Sequence, residues 1–327
     1  MKKTLATVIL TITFSLSVMA CTKSATKTGE YVWQNVTAKA EFPQGYNYPV
    51  FVLEDKSLLA LNNGGWISKD GKTWTKTNLP ESGLNSAYQK YVQFNGAIYA
   101  LGAMKGNYLD FTISTKILRT KDGKTWETLA EKSNLPHRVF YGATVFKDKI
   151  WLVGGFDGKR YYNDVWNSSD GVNWTRVAEK TAWSPRNTGI IVFKNKLLLL
   201  GGGVIDGEKN INPNSGNEFW TSDDGISWTL TEKNPKQKRG GTPIVFDDKL
   251  WFVGANRGNG FASGVLFSED GENWQEMDAP WSPRGGAVVW IFDNKLFMTG
   301  GKYSFTENGE IKFVYSNDVW AMSKKTE

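Results

Sequence analysis

Four arginines close short runs of similar shape, LPHR, WSPR, KQKR and WSPR, ending at Arg138, Arg186, Arg239 and Arg284. Each stands seven or eight residues before a phenylalanine, at positions 146, 193, 246 and 292. A guanidinium is a planar fork of donors that matches a carboxylate or phosphate bidentately, so a convergent series of them could recognise an anion. The same series could instead be a repeated structural bond, each arginine donating to backbone carbonyls or acidic side chains of a neighbouring unit. The uneven spacing bears on the choice, because a one-residue slip turns a strand side chain to the opposite face unless a bulge absorbs it. Trp183 and Trp281 open the two WSPR runs, where they can stack on a sugar ring beside the arginine or wedge between structural units.

The chain holds one histidine, His137, and one cysteine, Cys21. A His-rich metal site, a Ser-His-Asp triad and an internal disulfide are therefore not expected, and no metal or cofactor is implied. His137, next to Arg138, is either a lone acid or base or a solvated loop histidine. Carboxylate chemistry remains open, since glycoside hydrolysis needs only two suitably spaced acids. Asp157, Asp206, Glu208, Glu218 and Glu307 are the candidates on loops.

The elements that must position these groups repeat. SKDGKTW, TKDGKTW, SSDGVNW, SDDGISW and SEDGENW end in tryptophans at 74, 126, 174, 228 and 274, a period near 50 residues. Asp-Gly suits a tight hairpin turn because glycine accepts positive φ, while the serine or aspartate side chain can bond the turn amides. Five near-identical copies around a ring cannot make one asymmetric site, so the motif reads as scaffold. Upstream stands a second hairpin in six copies, for example ATVFKDKIWLVGG and IIVFKNKLLLLGG, two apolar runs around a polar turn. Two hairpins per unit give four strands, and six units predict an all-β, six-bladed β-propeller. The sixth unit stops after NDVWAMS (317–323) without its last strand, and YVWQNVTAKAE (31–41) is expected to supply it, closing the ring.

In such a meander the Asp-Gly turns share one face with the turns between the first two strands. The between-blade segments and the long second-to-third-strand loops occupy the other face, the mouth of the channel. Unrepeated residues there should carry specificity: Tyr108, Asp157, Arg160, Tyr161, Asp206, Lys209, Asn256, Arg257 and Tyr303.

The hairpins, the di-glycines (Gly154-Gly155, Gly202-Gly203, Gly300-Gly301), the later tryptophans Trp166, Trp220 and Trp320 and the preceding arginine resemble kelch-type propellers of the galactose-oxidase/kelch superfamily. Blades 1 and 2 depart from the pattern, with Asn62-Asn63 and Gly102-Ala103 in place of the di-glycine. The Ser-x-Asp-Gly-x-x-Trp turn is similar to the Asp-box of sialidase propellers but is one residue shorter. The resemblance implies a binding propeller; some bacterial envelope members interconvert sialic acid anomers, which would suit an arginine-lined funnel.

The N-terminus differs in kind. MKK, an apolar run and Val18-Met19-Ala20-Cys21 resemble a bacterial lipoprotein signal, implying a signal peptide at 1–20, lipidation of Cys21, a polar tether over 21–30 and a propeller over 31–327. Without residues 1–20 the chain carries 37 basic and 33 acidic residues, with no basic stripe, so nucleic acid is not an expected partner. The expectation is a monomeric, lipid-anchored propeller of the bacterial cell envelope, periplasmic or surface-exposed, that binds a glycan or a protein partner. The alternatives are a carbohydrate-active enzyme, a sialic-acid-type epimerase or mutarotase or a glycosidase, and a structural subunit of an envelope assembly.

Overall fold

Alternating apolar runs separated by turn residues fold here as six four-stranded antiparallel sheets. The computed structural model describes residues 30–79, 84, 89–106, 110–206, 209–210, 218–233, 241–256 and 261–325. Blade 1 is Val50–Val52, Leu58–Leu61, Gly65–Ser68 and Thr75–Thr77. Blade 2 is Lys90–Phe94, Ala97–Gly106, Phe111–Thr120 and Glu127–Ala130. Blade 3 is Gly142–Phe146, Lys149–Val153, Val165–Ser168 and Thr175–Ala178. Blade 4 is Asn187–Phe193, Lys196–Gly203, Glu218–Ser222 and Thr229–Lys233. Blade 5 is Thr242–Phe246, Lys249–Val253, Val265–Ser268 and Trp274–Met277. Blade 6 is Val288–Phe292, Lys295–Thr299 and Val319–Lys324, completed by the N-terminal strand Tyr31–Thr37. Tyr31 pairs with Lys324 and Asn35 with Trp320, so the two ends of the propeller close one sheet as expected.

Between the first two strands of blades 2 to 6, both turn residues take φ between 47° and 70°, the left-handed pair of a type I′ hairpin turn. This geometry follows the right-handed twist of the strands it joins. Asn95-Gly96, Lys147-Asp148, Lys194-Asn195, Asp247-Asp248 and Asp293-Asn294 occupy these turns.

The five Asp-Gly turns form one hydrogen-bond cassette. In blade 3 the Ser168 hydroxyl accepts from the Gly171 amide at 2.8 Å and donates to Asp170 at 2.9 Å, while Asp170 accepts from the amides of Val172 and Asn173 at 2.8 and 2.7 Å. The same bonds recur around Asp70, Asp122, Asp224 and Asp270. Partial burial alone would raise these carboxyls, but the amides and hydroxyls outweigh it and hold Asp122 and Asp170 at about 2. The glycine of each turn lies against the preceding blade: Gly71 on Phe297, Gly123 on Leu59, Gly171 on Tyr99, Gly225 on Trp151 and Gly271 on Phe193. The repeated motif is thus scaffold in two senses, closing its own turn and locking one blade onto the next.

The core accordingly lies between blades. Between blades 6 and 1, Phe42, Leu58, Trp74, Val288, Trp290 and Phe297 form one buried cluster. Trp74 meets Phe42 edge-on at 5.2 Å and Trp290 at 6.2 Å between ring centroids. Each buried aromatic of this size is worth about 3–5 kcal/mol against alanine. Three two-stranded extensions rise from the opposite face, Ile205–Asp206 with Lys209–Asn210, Ala255–Asn256 with Phe261–Ala262, and Lys302–Glu307 with Glu310–Tyr315.

Candidate functional site

Three arginines of the sequence series are buried, Arg138 at 6%, Arg186 at 1% and Arg284 at 2% exposure. Arg138 donates to both carboxylate oxygens of Asp164, at 2.5 and 3.1 Å, and to the Gly154 carbonyl at 3.1 Å. Arg284 repeats the pattern with Asp318, at 2.5 and 3.1 Å, and the Gly300 carbonyl at 3.2 Å. Arg186 donates to Glu218 at 2.8 Å and to the Gly201 carbonyl at 3.4 Å. Each acid also accepts from the indole two residues on: Trp166 to Asp164 at 2.8 Å, Trp220 to Glu218 at 3.3 Å and Trp320 to Asp318 at 2.7 Å. The expectation of an arc of guanidinium groups facing a ligand is therefore corrected for these three, which tie the between-blade segment to the di-glycine and to the third strand. Arg239 lies outside the described residues.

The spacing is absorbed by the backbone. Both eight-residue spacers place the second residue after the arginine in the left-handed region, Phe140 at φ 59° and Gly286 at φ 65°. The seven-residue spacer of blade 4 instead carries a bulge between Asn187 and Gly189. The WSPR tryptophans are corrected likewise. Trp183, 1% exposed, packs edge-on to Trp228 at 6.1 Å, and Trp281, 4% exposed, meets Trp33 at 4.6 Å. They wedge between blades and offer no face to a sugar.

The loop residues divide. Asp157 accepts from the Tyr162 hydroxyl at 2.5 Å and from the amides of Lys159 and Arg160 at 2.8 Å, closing its own turn. Arg160 bonds the Tyr162 hydroxyl at 2.9 Å, and Tyr161 stacks on Phe156 with centroids 4.6 Å apart. His137 is exposed, its Nε2 lying 3.1 Å from the Ile113 carbonyl in a rim pocket of about 510 Å³ shared with Phe111 and Asp157. Tyr303 is half-buried opposite Val314 in the blade 6 hairpin, and Glu307 pairs with Lys312 at its tip. Asp206, Lys209 and Asn256 are placed by their backbone in the short extensions. Tyr108, Glu208, Arg257 and Cys21 lie outside the described residues. The three candidate acids whose side chains are described are not gathered: Asp157, Glu218 and Glu307 belong to blades 3, 4 and 6, and each is already bonded. Among the described residues no cluster of three or more His, Cys, Asp or Glu is arranged to hold a metal ion.

What the blades do enclose is a cavity of about 720 Å³. Its walls are residues 46–51, which cross from blade 6 to blade 1, residues 61–63 of blade 1, residues 89–91 of blade 2, Thr242 of blade 5 and residues 287–289 of blade 6. The crossing segment is fixed from below: the Asn47 amide donates to Gly286 at 3.0 Å, Gly45 donates to Ser316 at 3.2 Å and accepts from Gly301 at 2.9 Å. Asn47 itself stands at φ 55°, a left-handed conformation that asparagine tolerates better than most residues. Tyr46 lies tilted 33° to Tyr315 at 5.7 Å, with the Lys302 ammonium 4.3 Å from its ring. Amides, aromatic rings, a threonine, one lysine, Lys90, and the aliphatic residues Val50, Leu61, Val288 and Val289 thus line a volume suited to a small molecule with both polar and apolar faces. None of these residues is a site candidate by sequence. Asn62 and Asn63 carried the one available signal, the break in the di-glycine pattern.

A family profile described as the DUF6242 beta propeller domain matches residues 6–321. Kelch repeat protein M-T8 of Myxoma virus (strain Lausanne) is 27% identical over 181 residues, covering 52% of this chain and 33% of that protein. Leucine-zipper-like transcriptional regulator 1 of Homo sapiens is 28% identical over 178 residues, covering 50% of this chain and 21% of that protein. The chain thus spans a third or less of the length of these two curated relatives. Among solved structures, that titled "Structure of YjhT" superposes with a TM-score of 0.63 at 12% identity, covering 85% of this chain and 99% of the other. At that identity the likeness is one of fold. With six closed blades, the arginine and di-glycine bonds and the profile match together, the chain is a kelch-type β-propeller and belongs to the DUF6242 beta propeller domain family.

Proposed function

We propose that this propeller is a binding module that takes a small polar ligand, a glycan or part of one, at the mouth of its channel. The observation that carries the reading is the 720 Å³ cavity, walled by amides, aromatic rings, aliphatic side chains and Lys90, with Tyr46 and Asn47 on a bonded crossing segment. Flat aromatic faces beside amides suit the apolar and hydroxyl faces of a sugar. The bonded state of Asp157, Glu218 and Glu307, in three different blades, gives the glycosidase alternative no support from those acids.

In the same reading the chain is anchored to a bacterial envelope membrane through Cys21. Tyr31 opens the N-terminal strand on the face of the Asp-Gly turns, where its hydroxyl bonds Asp247 of the blade 5 turn and accepts from Lys249 at 3.0 Å. Nine residues, 22–30, separate it from Cys21, a span of at most about 35 Å when extended. A lipid at Cys21 would hold the turn face toward the membrane and leave the mouth pointing away, open to ligand.

The test is a thermal-shift panel of neutral and acidic mono- and oligosaccharides on the full chain, with Tyr46→Ala beside the native protein. A ligand at a hundred times its Kd should stabilise the fold by about 2.7 kcal/mol. Stabilisation lost or cut at least tenfold in affinity by Tyr46→Ala supports the reading. No stabilisation by any sugar, or binding that Tyr46→Ala leaves unchanged, counts against it.

A further inference from the structure

Lys90 begins the innermost strand of blade 2 and, among the described residues, is the one charged residue lining the mouth cavity. Its neighbour Gln89 is committed, donating to the Gly102 carbonyl at 2.7 Å and accepting from the Tyr91 hydroxyl at 2.6 Å. Lys90 has no such partner. It is half-buried, and no hydrogen bond, ion pair or ring contact engages its ammonium among the described residues. Among the described residues no acidic side chain lines the cavity. Burial without compensation pushes the ammonium below its ordinary pKa.

The contrast with the rest of the ring is the informative part. Arg138, Arg186 and Arg284 are more deeply buried than Lys90, yet each is bonded to a carboxylate and a carbonyl. Lys302, at the rim, rests over the rings of Tyr46 and Phe313 at 4.3 and 4.8 Å. A desolvated, unpaired ammonium costs free energy in the empty protein, and an entering anion removes that cost. One cation with no acid beside it matches one negative charge. The amides of Asn47 and Asn63, and the Thr242 hydroxyl as an acceptor since it already donates to the Ala287 carbonyl, suit a body rich in hydroxyl or amide groups.

We infer that Lys90 is the anion anchor of the mouth cavity, and that the ligand class it selects is a small, singly charged carboxylate on a hydroxyl-rich body, as in a uronic acid. The inference rests on the reading of the mouth as the ligand site and adds the charge of the ligand and the residue that reads it.

The test is calorimetric titration of the detergent-solubilised full chain with glucuronate and galacturonate, against glucose, galactose and glucose 6-phosphate. The variants are Lys90→Met, Lys90→Arg and Tyr46→Ala. Lys90→Met removes an unpaired charge while keeping the stem, so its melting temperature should equal or exceed that of the native chain. At least one uronate should bind tenfold or more tightly than its neutral sugar. Lys90→Met should erase that preference, bringing uronate affinity down to that of the neutral sugar, and Lys90→Arg should retain most of it. A uronate preference that survives Lys90→Met overturns the assignment of Lys90; if Tyr46→Ala still weakens binding, the mouth reading stands without it. Tighter binding of glucose 6-phosphate than of either uronate overturns the carboxylate class. No binding of any of these probes sinks the mouth reading and the anchor together.

Discussion

Replacing Arg138 by methionine removes a guanidinium whose side chain is 6% exposed and leaves Asp164, 5% exposed, without its ion-pair partner. Two charge-assisted bonds, at 2.5 and 3.1 Å, and one to the Gly154 carbonyl at 3.1 Å are lost. The contact of the guanidinium with the Tyr162 ring, 3.8 Å from its centroid, goes as well. Removing one partner of a buried pair costs about 3–5 kcal/mol. Trp166 still donates to Asp164 at 2.8 Å, which argues for the lower half of that range, and the lost cation–π contact, about 1 kcal/mol, restores some of it. The expected loss is therefore about 4–5 kcal/mol. By comparison the exposed pair Arg176–Glu179, at 3.8 Å, should contribute no more than about 1 kcal/mol. Urea unfolding followed by tryptophan fluorescence measures both. The double variant Arg138→Met/Asp164→Leu should recover most of the loss, because an apolar pair of similar volume needs no charge compensation. A loss below about 1 kcal/mol in the single variant would refute the buried-pair account and return Arg138 to the ligand.

Gly225→Ala places a Cβ 2.1 Å from the Trp151 ring at φ +79°, and should cost about 3 kcal/mol or more in the same unfolding assay. Gly309→Ala, at φ +82° with nothing within 4 Å, isolates the backbone term and should cost only about 1 kcal/mol. Asp122 and Asp170 stand at about 2 in the fold against 3.8 ordinarily, so the unfolded chain binds protons first as pH falls. Their contribution is complete above about pH 5 and is lost as pH falls through about 2; melting temperatures measured from pH 6 to pH 2 should drop through that window, and less steeply in Asp170→Asn. Trp183→Ala empties a site 1% exposed between blades and should cost about 3–5 kcal/mol while leaving sugar binding unchanged in the intact population, as read by calorimetry.

The blade count, the strand number and the closing N-terminal strand were legible because they are periodic or complementary. Two hairpin signatures per unit and a missing last strand admit one closed ring, and Tyr31 meets Lys324 as that logic requires. The Asp-Gly motif could be read as scaffold for the same reason, since repetition argues for shared structure. The arginines show where the reading stops. Their chemistry fits an anion outside the protein as well as one inside it, and the deciding partners, Asp164 and Asp318, are 26 and 34 residues away in the chain. A signal existed, an acid two residues before Trp166, Trp220 and Trp320, but its pairing across the blade is a product of tertiary register. The mouth residues were hidden more thoroughly. Tyr46, Asn47, Asn63 and Lys90 repeat nothing, come from a crossing segment and from two strand ends in different blades, and converge only when the ring closes.

Hydrogen–deuterium exchange of the full chain, with and without a saturating uronate, tests the central claim most directly. Slowed exchange is expected at residues 46–51, 61–63 and 89–91 only, with the Asp-Gly turns unchanged. Protection at the Asp-Gly turns or around His137, with the mouth segments unaffected, would contradict it.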